Sequence, residues 1–393
     1  ALSGGMAQRV VIAMALITKP KIVLADDATL GLDATVSVQV LDMLVERART
    51  LGVSVVLITH DLGIIAHYCD RVAIMRQGRI EEMRDTAGFL ADPRTSYSRE
   101  LLEAAKARPV PALRPTGRDE ATLLEVRNLV KIFPGSRPGE TVRAVDDVSF
   151  SVRRGETLAL VGESGSGKTT IGQCLVRLLQ STSGQIVFDG EDVTQWPEAR
   201  FRKLRRRVQM VFQEPYVALN PRWRVRHLID EPLRMLERMS TEERLKRVHH
   251  VLDLVNLPSR HAEFFPHELT AGEQKRIGMA RALVTEPDFV IFDEPTTALD
   301  IRVRAQIIDL VRDLQSRMGL SALFITHDLN SVRSLAHDVA VMNRGRIVET
   351  GTMEDVFRQP QDPYTRKLLS AELAVEHVAA AQGITPVWKE TTR

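Results

Sequence analysis

The apolar residues of this chain fall into two kinds of pattern. Short unbroken blocks, FVIF ahead of Asp293 and LFIT ahead of His327, have the length of strands buried on both faces. Helical spacing predicts helices over Thr241 to Leu254, Gly272 to Leu283 and Arg302 to Met318, with a shorter one over Phe201 to Arg207. Leu123 to Val130 and Val142 to Val152 alternate as half-buried strands do, and TLALVGESGSGKTTIGQCLVRLL reads as buried strand, glycine-rich turn and helix. Strand and helix in alternation predict an α/β fold with a largely parallel sheet, whose ligands bind beyond the carboxyl ends of the strands. Gly162 to Thr170, Asp293 and His327 all fall at such ends.

The pattern repeats. KIVLADDATLGLD from Lys21 aligns with DFVIFDEPTTALD from Asp288, and the register holds through His60 and His327, Gly78 and Gly345, Pro93 and Pro360, Tyr97 and Tyr364, each pair 267 residues apart. Ungapped agreement at polar and glycine positions over roughly a hundred residues points to duplication rather than to chance likeness of apolar strands. The second copy runs about 146 residues from Leu123 to the LTAGE that matches LSGGM near the start. The first copy is therefore expected to be truncated at its N-terminus. Residues 1–102 then form the end of a first domain and 122–350 a complete second one. Residues 103–121, with Pro109, Pro111 and Pro115, read as an extended linker, and 351–393 as a carboxyl extension.

Composition removes some function classes. The 53 basic and 51 acidic side chains nearly cancel over 393 residues, so no global field draws the chain to nucleic acid or anionic lipid. The densest basic run, Arg200 to Arg207, reads as a solvated helix face, because aromatics spaced for base stacking are not evident beside it. Two cysteines, Cys69 and Cys174, are too few for a disulfide framework or a four-thiolate site and read as inert core. His249, His250, His261 and His267 lack ligand spacing and read as surface or capping residues. No apolar run approaches the ~20 residues of a membrane span.

The chemistry is carried by few residues. Gly162, Glu163, Ser164, Gly165, Ser166, Gly167, Lys168 and Thr169, followed by Thr170, satisfy G-x-x-x-x-G-K-[ST]. The glycines let backbone N–H groups wrap phosphates, the following helix offers its positive end, Lys168 neutralises charge, and Thr169 presents a hydroxyl to Mg²⁺. Asp293, at a strand end, is placed as a second Mg²⁺ partner, and Glu294 as the group that polarises an attacking water.

GESGSGKTT, Gln213 in VFQEP, LSGGM, FDEPTTALD and ITHD, in that order, resemble the nucleotide-binding units of ATP-binding cassette (ABC) proteins. The resemblance implies a P-loop NTPase, RecA-like parallel sheet with a helical subdomain, as one partial and one complete cassette. It implies ATP and Mg²⁺ as ligands, with Gln213 contacting Mg²⁺ and relaying to a membrane partner, Asp300 in the D-loop, His327 sensing the γ-phosphate, and Phe133 stacking on adenine. Units of this kind close head to tail, so Ser3, Gly4 and Gly5 would complete the site built on Lys168 and Glu294. The reciprocal site would use Thr270, Ala271 and Gly272 with Asp26, Asp27 and His60. Ala271 adds a methyl, Glu273 a carboxylate near phosphate, and Asp27 is one methylene shorter than Glu294, so that site is expected to be degenerate. The tails VFRQPQDPYTRKLLSAEL and FLADPRTSYSRELLEA, with EPYVALNPR, resemble those of oligopeptide, dipeptide and nickel importer ATPases.

That resemblance implies a transport ATPase on the cytoplasmic face of the inner membrane, held there by two permease subunits, with an extracytoplasmic solute-binding protein and no nucleic-acid partner. Two other readings stand beside it: a soluble tandem ABC ATPase acting on ribosomes or DNA, and a noncatalytic remnant. Neighbouring permease and binding-protein genes would favour the first.

Overall fold

The structure is a computed structural model that describes residues 4–29, 31–106, 121–135, 137, 139–214, 219–236, 239–297, 299, 301–328 and 332–370. Ser3, Asp300, most of the expected linker and the end of the carboxyl extension lie outside the described residues. Contacts divide the described residues into two compact units: 4–106 with 301–305 and 367–370, and 121–299 with 306–366.

In the first unit the elements are α1 (Gly4–Leu16), β1 (Ile22–Asp26), α2 (Ala34–Leu51), β2 (Ser54–Ile58), α3 (Leu62–Tyr68), β3 (Arg71–Arg76), β4 (Arg79–Asp85), α4 (Thr86–Ala91) and α5 (Ser96–Lys106). β1 and β2 pair in parallel, with Asp26 opposite Ile58, while β3 and β4 form a separate antiparallel ladder. Val23, Ile12, Leu16, Val40 and Leu44 bury one face of β1 against α1 and α2. Ile22 and Leu24, on its other face, are 60% and 70% exposed.

The second unit opens with β5 (Thr122–Pro134) and β6 (Thr141–Arg153), then β7 (Thr157–Val161), α6 (Lys168–Leu175), β8 (Ser183–Phe188), β9 (Glu191–Asp192), α7 (Glu198–Leu204) and β10 (Val208–Val211). Three helices follow, α8 (Val225–Leu236), α9 (Thr241–Leu254) and α10 (Ala271–Leu283), and contact one another. β11 (Phe289–Asp293), α11 (Ile301–Met318), β12 (Ser321–Thr326), β13 (Asp338–Asn343), β14 (Arg346–Thr352), α12 (Met353–Arg358) and α13 (Pro363–Ser370) complete the described elements, residues 301–305 of α11 and 367–370 of α13 being grouped with the first unit. An antiparallel sheet, ordered β6-β5-β8-β9, accompanies a six-stranded one ordered β10-β11-β12-β7-β13-β14, in which only β14 runs antiparallel to its neighbour.

Every residue of β7, β11 and β12 is buried, as unbroken apolar strands in a parallel sheet require. Register then places the site. Asp293 pairs with Ile325, and Thr326 with Val161, so the residues that follow all three strands emerge side by side. The two units share detail at the 267-residue offset. The β3–β4 ladder shifts register between Ile74 and Met75, and the β13–β14 ladder between Val341 and Met342.

Some boundaries differ from the sequence reading. α7 starts three residues earlier than expected, behind Pro197, and ends before Arg205 to Arg207. β5 and β6 run longer than expected and bend: Asn128 and Asp147 take left-handed φ where the register shifts, and Asn128 Nδ2 donates to Asp147 Oδ1 at 2.8 Å.

Candidate functional site

The phosphate-type loop between β7 and α6 is shaped by close backbone approach. At Gly167, where φ is +105°, a Cβ would lie 2.1 Å from the Ala144 carbonyl oxygen, and at Gly162 a Cβ would lie 2.1 Å from that of Met342. Only glycine fits these two positions. Gly345 N donates to Ser166 O at 3.0 Å, bracing the loop against the β13–β14 turn. Lys168, buried at the start of α6, donates to the carbonyls of Gly162 and Glu163 at 2.8 and 2.9 Å, so its ammonium sits inside the loop. Ser164 and Gly165 are exposed at its crest.

Beside it, Thr169 Oγ1 donates to Asp293 Oδ1 at 3.0 Å. Burial pushes the Asp293 carboxyl up to about 6, opposed by the Thr169 hydrogen bond and the charges of Lys168 and Lys275 and reinforced by the neighbouring Glu294. A hydroxyl and a carboxylate so placed make a hard-oxygen pair of the type Mg²⁺ takes, next to a loop that leaves no room for a Cβ. Residues and ion fit.

Glu294 follows β11 in a left-handed turn, φ 44°, with its N–H bonded to Ile325 O at 2.9 Å. A non-glycine residue held there marks strain that the surrounding structure enforces. Three groups converge on its Oε2: Gln213 Nε2 at 3.0 Å, Thr297 Oγ1 at 2.9 Å and His327 Nδ1 at 3.2 Å. Its Oε1 makes no hydrogen bond among the described residues. Burial would raise this carboxyl, but the hydrogen bond and charge of His327, the charge of Lys168 and the Thr297 hydroxyl hold it below the usual range. Glu294 therefore stays ionised at neutral pH, with one oxygen fixed and one available.

Of the residues expected from sequence, Lys168, Thr169, Asp293, Glu294, Gln213 and His327 come together here. Gln213 reaches Glu294 rather than the Thr169–Asp293 pair. Phe133 is half-buried opposite Val142 of β6, two residues before the Ala144 that abuts Gly167, and the Lys131 ammonium lies 5.0 Å from its ring centroid. In the first unit Gly4 and Gly5 open α1, and a Cβ on Gly5 would meet Val36 of α2 at 2.5 Å. Asp27 repeats the Glu294 turn with φ 40° and N–H to Ile58 O at 2.9 Å, and His60 Nδ1 lies 3.4 Å from its Oδ1. Asp26 ends β1 as Asp293 ends β11.

Several expectations are corrected. α10 begins at Ala271 with Thr270 as its N-cap, one residue ahead of the expected Gly272 start. The Glu273 carboxylate is engaged at the end of its own helix. Its Oε2 accepts from Thr270 N and Oγ1 at 2.8 Å each in a capping box, and its Oε1 lies 3.2 Å from His261 Nε2. His261, expected as a surface or capping residue, is buried, with its ring nitrogens against that capping carboxylate and Pro258 O. The basic run does have aromatic neighbours: Arg200 stacks on Trp196 and Arg205 on Phe201, while Arg200, Arg205 and Arg207 pair with Glu191, Glu198 and Asp288. Chain-internal contacts thus occupy it. Cys174 is buried in α6, where desolvation pushes its thiol up to about 11.

Two site residues escaped the sequence reading. Thr297 holds Glu294, and Lys275 of α10 donates to Gln213 O. Burial pushes the Lys275 ammonium down to about 8 against the charges of Glu294, Glu214 and Asp293. Its departure from Gln8 at the 267-residue offset was the one signal available.

Comparison with known proteins gives consistent results. The profile described as ABC transporter matches residues 1–30 and 145–297, and that described as Oligopeptide/dipeptide transporter, C-terminal region, matches 348–390. The chain is 42% identical over 384 residues to the Peptidoglycan transport ATP-binding protein YejF of Agrobacterium fabrum, covering 96% of this chain and 69% of that protein. It is 42% identical over 399 residues to the Glutathione import ATP-binding protein GsiA of Pectobacterium atrosepticum, covering 94% of this chain and 64% of that protein. The chain thus spans about two thirds of the length of these relatives. Among solved structures, the dimeric ATP-binding cassette MJ0796 in a post-hydrolysis state bound to ADP and Pi is 28% identical with TM-score 0.55, over 59% of this chain and 99% of that one. The cbiO1 protein of Clostridium perfringens, part of the ABC transporter complex cbiONQ, is 27% identical with TM-score 0.56, over 67% and 100%.

Proposed function

We propose that this chain, which belongs to the ATP-binding proteins of ABC transporters, is the ATP-hydrolysing subunit of an importer for peptides or a related small solute. The observation that carries this reading is the Thr169–Asp293 pair set beside a Glu294 whose Oε2 takes three donors and whose Oε1 is left for a water. The tail supports the cargo class, because it matches the oligopeptide and dipeptide C-terminal region, and glutathione, named for one relative, is a tripeptide.

The loop amides and the amino end of α6 bind the phosphates, and Lys168 exchanges its carbonyl partners for phosphate oxygens. Mg²⁺, held by Thr169 and Asp293 with Gln213 adjacent, would neutralise phosphate charge. Glu294, ionised and only weakly basic, orients the attacking water through Oε1, while His327 and Gln213 fix the opposite oxygen. Phe133 supplies a ring for the adenine. Asp300 follows in the D-loop of the same cassette, and Ser3, Gly4 and Gly5 complete this site from the neighbouring cassette half. The second site, with Asp26, Asp27, His60, Thr270, Ala271 and Gly272, mainly holds nucleotide, because a carboxylate one methylene short displaces the water by about 1 Å, which costs ~10²-fold in rate.

The domains are a partial cassette over 1–102, a linker over 103–121, a complete cassette over 122–350 and the importer-type extension over 351–393. No described helix is long and apolar enough to cross a membrane. Two permease subunits supply the channel and hold the protein at the cytoplasmic face, and an extracytoplasmic binding protein delivers solute. In a protein whose first cassette is whole, Glu294→Gln is expected to lower hydrolysis by ~10²-fold or more while Mg-ATP still binds, and Asp27→Asn by no more than about threefold. Equal losses in a steady-state ATPase assay contradict the asymmetry. Hydrolysis stimulated by peptide in vesicles carrying the permease pair supports import, and stimulation by ribosomes instead contradicts it.

A further inference from the structure

We propose that Tyr364, in the carboxyl extension, is a positioning residue of the phosphate loop, so that seating of the extension and affinity for Mg-ATP are coupled. Its hydroxyl oxygen accepts the backbone N–H of Glu163 at 3.0 Å. Glu163 is the second residue of the loop, and its carbonyl already takes Lys168 Nζ at 2.9 Å and Ser166 N at 3.2 Å. One residue therefore links the extension to the lysine that meets the phosphates, with its N–H fixed from one side and its C=O from the other.

The tyrosine is itself placed by a built turn. Glu349 of β14 accepts from Gln361 N at 2.8 Å and Asp362 N at 3.1 Å, and Asp362 Oδ1 accepts from Tyr364 N at 2.7 Å as α13 begins. Burial would raise the Glu349 carboxyl, but these backbone donors and the charge of Arg366 hold it low, so the carboxylate keeps its acceptors at neutral pH. β14 pairs with β13, and β13 with β7, the strand that feeds the loop. The path from sheet to loop through the extension is continuous.

The first unit builds the same turn independently. Glu82, at the 267-residue offset from Glu349, accepts from Arg94 N at 3.1 Å and Thr95 N at 3.3 Å, ahead of Tyr97. There the Arg76 guanidinium covers the Tyr97 ring at 4.9 Å, whereas Asn343 stands at the matching position of the second unit. The turn and its tyrosine are thus a recurrent device, and in the second unit it is applied to the loop.

The inference rests on the reading of residues 162–169 as a nucleotide loop. Tyr364→Phe keeps the ring and removes the hydroxyl, leaving the Glu163 N–H without this partner. Calorimetry on the whole chain is expected to show Mg-ATP affinity weakened about fivefold to tenfold, and the ATPase KM to rise correspondingly with a much smaller change in kcat. Glu349→Gln should weaken binding through the same path, so the double variant loses less than the product of the two single losses. By reciprocity, Mg-ATP should slow hydrogen exchange at residues 361–366 of the unmodified chain and not of Tyr364→Phe. Unchanged affinity in Tyr364→Phe alongside normal binding by the unmodified chain overturns this proposal alone. So does a fall in kcat with KM unchanged. Absence of Mg-ATP binding by the unmodified chain overturns it together with the nucleotide-loop reading.

Discussion

Asp293 and Glu294 are adjacent, both buried, and shifted in opposite directions. Asp293 has one hydroxyl donor and is dominated by burial, whereas Glu294 has three side-chain donors that more than offset the same cost. The divergence has a sign that can be measured. A carboxyl raised to about 6 binds its proton more tightly in the folded chain than in the unfolded one. Its contribution to stability is therefore fully present below about 4 and is lost as pH rises through 6. Asp293→Asn keeps the acceptor for Thr169 and cannot ionise. In nucleotide-free protein at pH 7.5 the variant should be more stable than the unmodified chain, by on the order of 2–3 kcal/mol, with the gain fading by pH 5. Paired thermal melts at the two pH values check this, and a gain that is equal at both refutes the assigned cause.

At the scale of the element, the strand–loop–helix segment from β7 to α6 is where sequence and structure agree most closely. Its features are local: an unbroken apolar strand, glycines at fixed spacing and a helix start. The backbone need at Gly167 is steric, since φ is +105° and the Ala144 carbonyl occupies the space a Cβ would take. Gly167→Ala should therefore distort the loop and weaken Mg-ATP binding by at least tenfold in a titration, while Gly278→Ala, on a helix face with no atom near the added Cβ, should change it little. What the sequence concealed is non-local. Gln213 and Glu294 are 81 positions apart, and Glu163 and Tyr364 are 201 apart, so only the folded sheet brings each pair together. Glu273 has a local engagement that the sequence reading passed over. Thr270 and Glu273 already carry the spacing of a capping box, which meets the helix-end requirement for partners. His261 gave no signal, because its burial follows from where α10 lies.

At the scale of the whole molecule, the two units share strand pairings, register shifts, left-handed acidic turns and tail turns at one constant offset. They differ in how their described sheets are joined. In the second unit β7 lies between β12 and β13, which makes one six-stranded sheet; in the first, β1–β2 and β3–β4 are separate ladders, and Ile22, Leu24, Ile58, Met75 and Ile80 are more than half exposed. On the reading proposed above, the nucleotide chemistry of the described residues is accordingly expected in the second unit, on Lys168 and its loop. The measurement that tests this most directly is calorimetric titration of the chain with Mg-ATP, run in parallel on Lys168→Ala. Removing a charge-assisted donor of the phosphates is expected to weaken magnesium-dependent binding ~10- to 100-fold. Equal binding by both proteins, or no magnesium-dependent binding by either, would contradict the assignment of residues 162–169 as the nucleotide site.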